Sequence, residues 1–147
     1  MNEYDIDILR LAGEGYCCSQ IVMQLALEIQ GEDNPGLLRA MSGLCHGFPV
    51  MDGACGALTG AACLLAYYGG KGTAAEEESD RLPLMLSELG DWFQSYAAGR
   101  FVGITCSDIV EGGRIDTAIC GGLVSECYGK ALMILVENGF DPESIHD

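Results

Sequence analysis

Cys55 stands in the run Gly53-Ala54-Cys55-Gly56-Ala57-Leu58-Thr59-Gly60, among residues with almost no side chain. Such a run lets backbone approach the thiol closely, and its glycines reach φ values closed to other residues. The apolar continuation Ala61-Ala62-Cys63-Leu64-Leu65-Ala66-Tyr67-Tyr68 reads as a buried helix that ends at Gly69-Gly70. Cys55 is therefore expected at a helix N-terminus, where the macrodipole favours thiolate and lowers the thiol pKa.

Other cysteines recur in the same setting. Tyr16-Cys17-Cys18-Ser19-Gln20 precedes an amphipathic stretch, Thr105-Cys106-Ser107-Asp108 places a thiol beside N-cap residues, and Asp116 to Cys120 opens another helix. If those ends converge, unpaired N–H groups and helix dipoles would act on several sulfurs together. Three chemistries suit such a cluster: an iron–sulfur centre, a zinc site, or a dithiol that cycles to a disulfide. The absence of any Cys-x-x-Cys pair leaves all three open. Vicinal Cys17 and Cys18 are poorly placed to serve one tetrahedral site together. Cys63 and Cys127 fall mid-helix at apolar positions and are expected to pack as small hydrophobes. His46, beside Cys45, reads as a loop histidine, because a catalytic base normally comes from elsewhere in the chain. The glycine-rich run lacks the Lys-Ser/Thr ending of a phosphate loop.

The elements that must position these thiols are helices. Tyr4, Ile8, Leu11 and Ala12 share one face of a first helix over residues 3–13. Ile21, Val22, Leu25, Ala26 and Ile29 mark a second, and Pro35 starts a short third that ends by Gly43. A loop over 44–52 leads into the buried helix. Leu82, Leu84-Met85-Leu86, Leu89, Trp92-Phe93 and Tyr96 support a long helix over about 80–98, with Pro83 in its first turn. A short turn from Cys106 closes at Gly112-Gly113. Leu123, Val124, Cys127, Ala131, Ile134 and Leu135 then line the last helix, which stops at Asn138-Gly139. No alternating strand pattern of useful length exists, so residues 1–147 are expected to form one all-α domain, a compact bundle of five to six helices with cysteines at helix N-termini.

Composition narrows the function. Seven basic against 22 acidic residues give a net charge of −15, which opposes phosphate backbones and anionic membrane surfaces. Nucleic acid and membrane are not expected partners, whereas a basic redox partner protein could exploit the charge; a homodimer stays open. No apolar run is expected to reach the ~18 residues of a membrane span, and the acidic first residues differ from a signal peptide. The expected location is the cytoplasm, where eight cysteines point to metal ligation or redox chemistry more than to structural disulfides.

In its cysteine order the chain resembles the C_GCAxxG_C_C family of redox-active proteins. The signature stands here as Cys55-Gly56-Ala57-Leu58-Thr59-Gly60. The family's first cysteine matches Cys18 in Cys18-Ser19-Gln20, and its last two match Cys106 and Cys120. The resemblance implies redox activity and iron–sulfur binding, with Cys18, Cys55, Cys106 and Cys120 as ligands. Cys17 and Cys45 go beyond the pattern and could replace or supplement those four. Three functions are carried forward. The first is electron transfer by an iron–sulfur or other metal centre. The second is thiol–disulfide exchange without metal, with Cys55 or Cys18 as the reactive thiol. The third is a zinc-stabilised module that binds a partner.

Overall fold

The computed structural model describes residues 4–110 and 117–144. Among the described residues seven α-helices follow one another: α1 (Asp5–Gly13), α2 (Cys18–Gln30), α3 (Pro35–Met41), α4 (Gly56–Gly69), α5 (Leu82–Ala98), α6 (Cys106–Ile109) and α7 (Thr117–Glu137). The described residues contain no strand, and the fold is all-α as expected; a lone β-type bridge joins Ala54 to Thr105.

Each long helix buries one stripe. α2 contributes Ile21, Val22, Leu25 and Ala26, α4 contributes Ala57, Ala61, Leu64 and Leu65, and α5 contributes Leu82, Met85, Leu89, Phe93 and Ala97. α4 packs on α2, α5 and α7, so it is the axis of the core. Local chemistry sets the ends. Asn34 accepts a hydrogen bond from Leu37 N at the start of α3, Pro35 occupies its first turn, and Gly31 ends α2 at φ 71°. Tyr4 precedes α1 rather than lying within it, and its ring meets Tyr128 edge-on at 4.8 Å.

Two expectations change. The stretch over 44–52 is not a simple loop: Ser42–Gly47 and Pro49–Met51 wind into 3-10 turns. They are broken where His46, Phe48 and Asp52 take left-handed backbone at φ 61°, 50° and 51°. And one segment, Ile119–Glu137, does reach the length and hydropathy of a membrane span, with a mean hydropathy of 1.5. In the fold it is a core helix, and Leu123, Val124, Cys127, Tyr128, Ala131, Ile134 and Leu135 are buried along it. One face packs on α1, α2, α4 and α5, while Met133 and Val136 stay exposed on the other. The turn expected to close at Gly112-Gly113, and the Asp116 expected to open the last helix, lie outside the described residues.

Candidate thiol site

Glycine contacts bring the thiols together. A Cβ on Gly60 would stand 2.8 Å from Ser19 Cα and 3.1 Å from Ser19 O, so α4 rests directly on the backbone of the first turn of α2. One turn earlier, a Cβ on Gly56 would meet Leu44 O at 3.2 Å and Cys18 Cβ at 3.7 Å. Gly56 and Gly60 are four apart and share a face. They let α4 approach until Cys55, its N-cap, stands beside Cys18, the first residue of α2.

A second close approach adds Cys106. Cys55 N donates to Ile104 O at 2.9 Å and Cys106 N donates to Gly53 O at 3.3 Å. Gly47, at φ 70°, fits against this pairing: a Cβ there would lie 2.8 Å from both Cys106 Cβ and Gly53 O. Thr105 caps α6, accepting from Asp108 N at 3.1 Å, while Asp108 Oδ2 accepts from Thr105 N. Ser107 Oγ donates to Asp52 Oδ1 at 2.6 Å and ties the segment to the turn before Cys55.

The result is a cavity of about 430 Å³ lined by Cys17, Cys18, Cys55, Cys106 and Cys120, with Ile8, Leu9, Ala12, Ile21 and Val124 among its apolar walls. The four cysteines matched to the family pattern thus converge, and none of them is in a disulfide. Cys18 and Cys120 are hydrogen-bonded to each other.

The expected low-pKa thiolate is not found. The hydrogen bond to Cys120, then burial, then the neighbouring thiols push the Cys18 thiol far up. Burial raises Cys55 as well; the N–H groups of Ala57 and Leu58 pull it down, as the helix start predicts, but they lose to desolvation. Cys106 is raised by burial and by Cys120. Sulfurs sharing one largely apolar cavity disfavour each other's charge, and a helix dipole does not outweigh that.

Cys17 and Cys45, carried forward as further ligands, form a disulfide with Cα atoms 5.7 Å apart. Their sulfurs are bonded to each other and not offered to a metal in this state. The bridge joins the N-cap of α2 to the 3-10 turn over 42–47. Both stand in the sequence as thiols beyond the four-cysteine pattern, and nothing local pairs residues 28 apart. His46, a loop histidine by sequence, is exposed with a left-handed backbone, and it also lines the cavity edge. Nothing in the sequence signalled that. Cys127 packs fully buried, as expected, whereas Cys63 is half-buried.

Among the described residues, no three His, Cys, Asp or Glu side chains stand close enough to hold a single metal ion. The donors nonetheless fit an iron–sulfur cluster chemically, since four cysteine sulfurs are its usual ligand set.

The sequence profile described as "Putative redox-active protein (C_GCAxxG_C_C)" matches residues 16–134. The chain belongs to this family. The match begins just before Cys17 and covers every element that lines the cavity except α1. Neither a curated protein nor a solved structure gives a significant match. In this member of the C_GCAxxG_C_C family the signature glycines are explained by packing: they set the distance between α4 and α2.

Proposed function

We propose that this redox-active protein transfers electrons through an iron–sulfur cluster held by Cys18, Cys55, Cys106 and Cys120. The observation that supports this reading is that four thiols from four separate helix starts line one cavity. Bound there, the group would supply one-electron chemistry. The chain's own contribution is to hold four sulfurs at helix ends, surround them with largely apolar side chains, and aim N–H groups of Ala57 and Leu58 at Cys55. Hydrogen bonds to cluster sulfurs and burial are the usual means of setting a potential. A single zinc ion would need sulfurs roughly 3.8 Å apart, from Zn–S bonds of about 2.3 Å at tetrahedral angles. Four thiols would suit either group by type, and iron with acid-labile sulfide against zinc separates the two. The net charge of −15 suits docking to a basic partner protein.

Protein purified without oxygen is expected to carry iron and acid-labile sulfide, with visible absorption bleached by dithionite. Cys55→Ser should abolish loading while far-UV circular dichroism is retained; full retention of the chromophore in that variant would overturn the reading. A second reading, a metal-free dithiol that closes between Cys18 and Cys120, is favoured by the hydrogen bond joining them. Colourless protein in which these two alone oxidise reversibly would select it.

A further inference from the structure

The Cys17–Cys45 bridge lies outside the four-cysteine set, yet it adjoins it: Cys17 precedes Cys18 and lines the same cavity. We propose that Cys17–Cys45 is a second redox centre, a disulfide that accepts two electrons from the dithiol of a partner protein.

Three observations carry this. First, both halves of the bridge are only partly buried, and Cys45 lies in a turn with exposed Ser42, Gly43 and His46, the side from which a partner thiolate would arrive. Second, Cys17 lines the cavity and has a buried neighbour beside its sulfur. Its Sγ lies 3.3 Å from the hydroxyl of Ser19, which is fully buried. Third, hydrogen bonds beside the bridge already hold the start of α2 to α3, the helix that runs into the 3-10 turn carrying Cys45. Ser19 Oγ donates to Met41 O at 3.0 Å and Gln20 Nε2 donates to Leu38 O at 3.0 Å, while the Leu38 and Met41 side chains are buried. The start of α2 is therefore held to α3 whether or not the sulfurs are joined, and the bond can open without releasing the fold.

Attack is assigned to Cys45. A partner thiolate bonds to Cys45 Sγ, the Cys17–Cys45 bond breaks, and its electron pair goes to Cys17 Sγ beside the Ser19 hydroxyl, where it takes up a proton. The partner's second thiolate then attacks its own sulfur in the mixed disulfide and releases Cys45, which is protonated in turn. The partner dithiol is oxidised to a disulfide as the protein disulfide is reduced to two thiols, a balanced two-electron exchange.

The proposal stands apart from the cluster reading and is tested on the full chain. Dithiothreitol serves as the dithiol, iodoacetamide traps free thiols, and mass mapping locates them. Under native conditions Cys17 and Cys45 should both become alkylated within minutes, with far-UV circular dichroism unchanged, and oxidised glutathione should restore the bridge. Cys17→Ser should leave Cys45 as the thiol that accumulates a mixed disulfide with glutathione. Cys63→Ser, at a free thiol outside the cavity lining, should leave the couple intact; a wild-type protein without iron but with this behaviour would sink the cluster reading alone. A bridge that resists dithiothreitol until the protein is denatured, or opens only together with loss of helix, would overturn the proposal.

Discussion

The two ends of α4 are built on different principles. Its first turns, Gly56 to Gly60, approach α2 through glycine against backbone, and the space gained is occupied by thiols. Its last turns press Leu64, Leu65 and Tyr68 into a core shared with α5 and α7, where Phe93, Leu89 and Tyr128 are fully buried. Tyr68 also donates to Pro142 O and accepts from Gln30 Nε2 at 2.6 Å, closing that end with hydrogen bonds. At one end distance is set by the absence of side chains, at the other by their volume. The first arrangement tolerates no added atom and the second no removed one.

The largest effect should come from removing volume. Phe93→Ala empties a fully buried site and is expected to cost about 3–5 kcal/mol, read by urea denaturation. A loss below about 1 kcal/mol would mean that this end is not the volume-filled core described. Next comes added volume at the thiol end. Gly60→Ala places a methyl 2.8 Å from backbone, which cannot swing aside, and should cost about 1–3 kcal/mol. Its control is Gly90→Ala in the interior of α5, where a Cβ meets nothing within 4 Å. That change should stabilise by up to about 1 kcal/mol through helix propensity. If both alanines behave alike, the contrast between the ends fails.

Alkaline pH should give a smaller, graded effect on reduced, metal-free protein. Burial holds the Cys127 thiol well above its ordinary value, so the folded state keeps a proton that the unfolded chain loses near pH 8.5. Stability is then full below that pH and falls as pH rises toward the folded value, because the unfolded state binds fewer protons. Cys127→Ala should flatten the fall relative to wild type after its own cavity cost is subtracted; an unchanged slope would assign the fall to other groups. The smallest effect is expected at the surface. Val102, 93% exposed, should change by less than about 0.5 kcal/mol on Val102→Ser, measured in the same denaturation series.

Most helices could be read from spacing alone. The apolar stripe of α5 and the Pro35 start of α3 are local facts, and they hold to within a few residues because local periodicity dictates which face is buried. Cys55 and Cys106 could likewise be placed at helix starts, since glycine and Thr105 mark those starts in the sequence. Their protonation could not. A dipole is legible from position along the chain, but desolvation depends on what packs above the thiol, and here it wins. The turns over 42–51 escaped for a similar reason: left-handed His46 and Phe48 are fixed by the backbone packed around Gly47 and Gly53.

The sequence by itself determined the helical class, the small-residue face of α4 and the family, because these rest on residue type and order. Only the tertiary structure decided that Cys18, Cys55, Cys106 and Cys120 share a cavity while Cys17 turns to Cys45. Residues far apart in the chain meet only when helices dock, and the direction of each sulfur at a helix start follows from that docking.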